Sequence, residues 1–259
     1  MAILDVGSGA PLVLIPGIQG RWEWMRPTVE ALAKHWRVIS FSLPGEPGTE
    51  PGSTIDFESF VHTIDRVLDA SGVRSAVICG VSFGGLIAVR YAARRPDRVR
   101  ALILVSTPGP RWKPQERLAR YMRWPRVSSP LFLLRSVSRF WPELRVTYPN
   151  LGSRLGFCTA TISRIMASPA APSRMGQRAR LAAAESFEDD CACVAAPTLV
   201  VTGERDLDRV VTHDDTLAYV RMIDGASFEL FDKTGHLGII SAPERFAAIV
   251  SRFKSRAGL

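Results

Sequence analysis

The chain has 259 residues, of which 46% are hydrophobic and 22% charged, with four cysteines and a formal net charge of +8. That balance excludes a largely disordered protein, and no apolar run reaches the roughly 18 residues that span a bilayer. A chain of this length buries a substantial core without disulfide or metal staples.

Taken from the start, Met1–Asp5 has neither a basic region nor an apolar core of the signal-peptide kind, which predicts a cytoplasmic protein with no stable membrane anchor. Ala2 to Val6 reads as a leading strand. Leu12–Ile15 reads as a second, ending at Pro16-Gly17, and a short helix is expected over Thr28 to His35. Arg37–Phe41 reads as a strand ending towards Pro44-Gly45. Thr54 to Ser71 carries Phe57, Phe60, Val61, Ile64 and Val67-Leu68 at helical spacing. Ala76–Cys79 is a strand running into Gly80, Gly84–Arg95 a helix stopped by Pro96, and Val99–Val105 a strand ending at Pro108-Gly109. Thr198–Val201 and Phe228–Phe231 read as the last strands, and Pro243–Arg256 as a closing helix with proline in its first turn. Continuous apolar strands alternating with helices predict a mainly parallel α/β sheet, doubly wound and covered on both faces.

The stretch from Pro110 to Ala196 breaks that rhythm and reads as several helices. The division expected is a core of residues 1–109 and 197–259 with a helical lid inserted at 110–196. The excess charge lies here: between Pro110 and Asp190, fourteen Lys or Arg stand against six Asp or Glu. A solvated arginine-biased surface accounts for it, and attraction for an anionic substrate or a membrane surface is the functional alternative. No nucleic-acid module accompanies the charge, so no nucleic-acid partner is expected. Cys79 and Cys158 read as buried hydrophobes. Cys191-x-Cys193 lacks the other ligands of a tetrahedral zinc site, so neither metal nor cofactor is expected.

The strongest local signal is Gly80-Val81-Ser82-Phe83-Gly84-Gly85, placed between a strand and a helix. A serine at such a turn is lifted above the sheet on a strained backbone, and glycines two residues to either side let strand and helix pass closely. A hydroxyl needs a base to take its proton. The chain has only four histidines, and His35, His62 and His213 lie in helical or solvated settings. His236, in Thr234-Gly235-His236 between the last strand and the last helix, is the candidate base. Asp206 follows a strand end in Thr202-Gly203-Glu204-Arg205-Asp206 and is the candidate acid, with Asp208 and Glu204 as close rivals. The other strand end where an acid could stand, Ser106–Pro110, offers no carboxylate.

With Ser82, Asp206 and His236 in that order, the chain resembles the α/β-hydrolase family over nearly its whole length. By that resemblance Pro16-Gly17-Ile18-Gln19-Gly20 is the oxyanion loop, and the backbone N–H groups of Ile18 and Phe83 are the donors. The family usually has His-Gly where Pro16-Gly17 stands here, and Ser42 and Glu46 replace a usual aspartate and histidine beside Pro44-Gly45. Only about eleven residues precede the Leu12 strand, so the sheet is expected to lack one edge strand. A serine nucleophile suits acyl transfer, with hydrolysis of a carboxylic ester, thioester or lactone as the central expectation. Carbon–carbon bond hydrolysis and acyl transfer to an alcohol use the same machinery, and a non-catalytic ligand-binding protein on this scaffold is the other class. The expected partner is a small-molecule acyl substrate, anionic or hydrophobic. Trp22, Trp24, Phe132 and Trp141 are the residues expected to meet it.

Overall fold

A computed structural model describes residues 2–49, 55–114 and 138–259. Seven strands form one sheet in the order β1-β3-β2-β4-β5-β6-β7. They are β1 (Ile3–Val6), β2 (Pro11–Ile15), β3 (Arg37–Phe41), β4 (Ala76–Val81), β5 (Val99–Val105), β6 (Thr198–Gly203) and β7 (Ser227–Phe231). β1 runs antiparallel to β3 and every other pair is parallel. Because β2 lies between β3 and β4, the winding reverses there, and the carboxyl ends of β2 and β4 flank the switch point at which open α/β sheets bind ligands.

Alternate residues of each strand serve opposite cores. Val13, Ile39, Ile78, Leu102 and Val200 join one cluster with Phe57, Phe60, Phe83 and Phe187. Leu12, Leu14, Val38, Val77, Ile103 and Leu199 join the other with Trp36, Phe246, Val250 and Phe253. Two buried faces explain why the strands read as unbroken apolar runs. The first face is covered by α2 (Phe57–Ala70) and α3 (Phe83–Arg94), the second by α1 (Arg26–Leu32) and the closing helix (Pro243–Ala257). α2 begins at Asp56, which accepts from Ser59 N–H at 2.7 Å in a capping box; Thr54, the expected start, lies outside the described residues.

Between β5 and β6 the described residues are helical or irregular. Residues 138–147 are helical, and α4 (Leu151–Ala167), α5 (Pro172–Ala184) and α6 (Glu188–Cys193) follow. α6 is clamped to the core by Arg90 of α3, which bonds Asp190 at 2.6 Å and Glu185 at 3.2 Å while lying over the rings of Phe57 and Phe187. The remaining helices are α7 (His213–Met222), α8 (Gly238–Ser241) and α9 (Pro243–Ala257). Burial pushes the Cys79 thiol far above its ordinary range, as suits a hydrophobe inside β4.

Candidate active site

Ser82 stands between β4 and α3 at φ 53° and ψ −122°, a region that non-glycine residues avoid. Several contacts hold it there. Its N–H donates to Val105 O at 2.8 Å, and its carbonyl accepts from Gly85 N–H at 2.8 Å. The glycines are sterically required: a Cβ on Gly80 would sit 2.3 Å from Gly84 O, and one on Gly84 would sit 2.5 Å from Ile15 O. The loop after β2 closes on the same spot, since a Cβ at Gly17 would be 3.4 Å from Ser82 Cβ. Phe83 opens α3, so its N–H has no carbonyl one turn back to bond.

The other half of the site comes from the ends of β6 and β7. His236 Nδ1 lies 3.1 Å from Asp208 Oδ2, and Asp208 Oδ1 accepts from the N–H groups of Val210 and Val211, both at 3.0 Å. The carboxylate beside the candidate base is therefore Asp208, and the expectation of Asp206 is corrected. Leu207 and Asp208 N–H both bond Glu204 O, at 3.0 and 2.9 Å, so the chain coils after β6. That turn leaves Asp206 exposed and brings Asp208 back inside. Burial pushes the Asp208 carboxyl up, but the His236 charge, the His236 hydrogen bond and the two amides outweigh it, and its pKa falls below the ordinary value. Burial pulls the imidazole of His236 down, while the charge and hydrogen bond of Asp208 and the charge of Glu143 raise it further, so its pKa ends above the ordinary value.

Glu143, a residue to which no sequence pattern points, packs against this loop from the helical stretch 138–147. It is fully buried, one oxygen accepts from Leu237 N–H at 3.0 Å, and the other has no partner among the described residues. Burial pushes its carboxyl up to about 7.

A second unforeseen pair supports the loop after β2. Arg178 of α5 and Glu46 form an ion pair at 2.7 Å with both side chains wholly buried. The same guanidinium donates to Ile18 O and to Pro44 O, each at 3.0 Å, while Glu46 accepts from Ala171 N–H at 2.9 Å. Gly20, at φ 73°, passes so close that a Cβ there would collide with Arg178. Glu46 and Arg178 thus brace a loop that lacks the usual histidine.

Of the residues expected to meet substrate, Trp24 donates its indole N–H to Ser168 O at 2.8 Å, and Trp22 lies under Arg26. Trp141 is partly exposed with Arg154 over its ring, and Phe132 lies outside the described residues.

Residues 10–243 match the family model described as the alpha/beta hydrolase fold. The chain belongs to the α/β-hydrolase fold family. A 2-hydroxy-6-oxo-2,4-heptadienoate hydrolase of Pseudomonas putida is 27% identical over 256 residues, covering 96% of this chain and 90% of that protein. A polyketide synthase of Burkholderia thailandensis, ThaQ, is 40% identical over 108 residues, which are 41% of this chain and 5% of ThaQ; the match is therefore to a small part of a far longer protein. Among solved structures, an enol-lactonase from Burkholderia xenovorans superposes with a TM-score of 0.82 at 20% identity, covering 98% of this chain and 96% of that one. The family member is an enzyme of the hydrolase class, with a seven-stranded, mostly parallel sheet. No helix among the described residues is long and apolar enough to cross a membrane.

Proposed function

We propose that this α/β-hydrolase is a cytoplasmic serine hydrolase that cleaves a carboxylic ester, thioester or lactone through an acyl-enzyme on Ser82. The observation that carries the reading is the hydrogen bond from half-buried His236 to buried Asp208, at the sheet edge where Ser82 stands strained. His236 takes the Ser82 proton as Oγ attacks the carbonyl carbon, and Asp208 fixes the ring and offsets the imidazolium charge. The N–H groups of Ile18 and Phe83 receive the oxyanion, an interaction whose loss typically costs about 10²–10³ in rate. The carbon–oxygen (or carbon–sulfur) bond then breaks, and the leaving group takes the proton from His236. Water repeats the sequence on the acyl-enzyme. The described residues of the segment between β5 and β6, 110–114 and 138–196, act as a lid over this site, with Trp24 and Trp141 towards the substrate.

Reaction with a fluorophosphonate tests the reading: rapid labelling of the wild type, lost in Ser82→Ala, is expected. Unlabelled wild-type protein would mean a ligand-binding role instead. Nitrophenyl esters of graded chain length then report the acyl pocket. The full-length likeness to the heptadienoate hydrolase favours one second reading, hydrolysis of a carbon–carbon bond beside a ketone. Turnover of 2-hydroxy-6-oxo-2,4-heptadienoate well above that of every ester would establish it.

A further inference from the structure

The loop that carries His236 is held from outside the core. Three hydrogen bonds tie residues 143–148 to residues 233–241: Thr147 Oγ1 donates to Lys233 O at 3.1 Å, Leu237 N–H donates to Glu143 at 3.0 Å, and Tyr148 OH donates to Ser241 O at 2.6 Å. They bracket the base on both sides. Gly235 permits the approach, because a Cβ there would lie 2.8 Å from Glu143 Oε2 and 2.4 Å from Leu207 O, the carbonyl just before Asp208. The base loop is thus pressed between the acid's turn and a carboxyl contributed by the segment between β5 and β6.

We propose that Glu143 is a positioning residue for the base, one that fixes the loop bearing His236 by holding the backbone on either side of it and that places a second carboxyl beside that loop. The inference rests on the hydrolase reading for its consequence in catalysis, though not for the contact itself. The charged groups facing His236 are Asp208 from the turn after β6, and Glu143 and Arg139 from the helical stretch; Glu143 and Asp208 favour the imidazolium and Arg139 opposes it. Those facing Glu143 are His236 and Asp208, with the Tyr148 phenol also in range. A buried carboxyl bonded to the residue that follows the base titrates together with it. When His236 takes a proton, the imidazolium draws Glu143 towards its ionised form. Glu143 then holds Leu237 N–H more strongly just as the base is charged. The arrangement links the base to the segment that carries Glu143, so displacing that segment loosens His236.

Glu143→Gln keeps an acceptor for Leu237 N–H and removes the charge. Only four histidines exist, so the His236 ring can be followed by NMR titration of labelled protein without any turnover. The expected result is a His236 midpoint lowered by about half a unit or more, with the acid limb of kcat/KM shifted by the same amount. Glu143→Met removes the acceptor too; it is expected to match that shift and to lose about a further tenfold in kcat with KM little changed. An unchanged His236 midpoint in Glu143→Gln overturns the proposal, since a merely structural contact would not move it. Failure of the hydrolase reading would show separately, as a wild type in which Ser82 stays unlabelled.

Discussion

Two carboxylates, Asp206 and Asp208, lie two residues apart on one turn, and they are set to behave very differently. Asp208 is buried with both oxygens occupied, by the imidazole and by two amides, while Asp206 faces solvent. Replacing Asp208 by Asn keeps the shape but presents an amide where the ring needs an acceptor, so the wrong tautomer is stabilised. A loss of about 10⁴ in kcat is the size such a change carries in a triad. Asp206→Asn should leave kcat within about twofold, since surface substitutions rarely propagate. Steady-state rates on one activated ester decide between them; a crippled Asp206→Asn beside an active Asp208→Asn would overturn the assignment. The distinction is invisible in the sequence because it depends on how tightly the chain coils after Gly203, set by two bonds to Glu204 O.

Among elements, the contact that matters most is α5 against the loops after β2 and β3. Arg178 and Glu46 are wholly buried, so each is tolerable only because of the other. Burial pulls the Arg178 pKa down and Glu46 pulls it back up, yet an arginine stays charged at neutral pH. Arg178→Met should therefore cost about 3–5 kcal/mol by stranding the Glu46 charge, while Arg178→Met with Glu46→Met should be more stable than either single variant. Denaturant melts of the three proteins check this, and simple additivity would contradict it. All variants lacking Arg178 should also lose rate, because Ile18 O loses its donor. The core elements around this contact are readable from the chain: β5 falls at Val99–Val105 as expected, since a strand covered on both faces must be apolar throughout. β4 and β6 run two residues past the expected ends, to Val81 and Gly203, because polar and glycine residues stay in register where backbones pass closely. Glycine, serine and histidine at strand ends likewise announce Ser82 and His236. Glu46 and Glu143 announce nothing. Glu46 meets Arg178 across 132 residues and Glu143 meets Leu237 across 94, and a lone acid carries no periodicity that reveals such a meeting.

The whole molecule feels the site through protons. Glu143 is held at about 7, against an ordinary value of about 4.3 for an unfolded glutamate, so between those limits the native state binds the extra proton and stability falls as pH rises. His236, raised in the native state, adds stability that is complete below about pH 6.5 and is lost as pH climbs through its folded value. Asp208 works the other way: its lowered pKa contributes stability above about pH 3.9, lost only as acid protonates it. The site is therefore most comfortable at about pH 4, where Asp208 is ionised and Glu143 keeps its proton, and it becomes a burden above about 7, whereas a base must be neutral to act, so catalysis should rise over the pH range in which stability falls. The Glu143 contribution alone spans about 4 kcal/mol, or roughly 8–16 °C in Tm for a chain of this size. Scanning calorimetry between pH 5.5 and 8 should show the wild type losing Tm while Glu143→Gln, which cannot ionise, loses clearly less. A wild-type Tm that climbs to pH 8, or a variant that declines in parallel with it, would mean that the carboxyl is ionised at no cost and that Glu143 is not a buried acid at all.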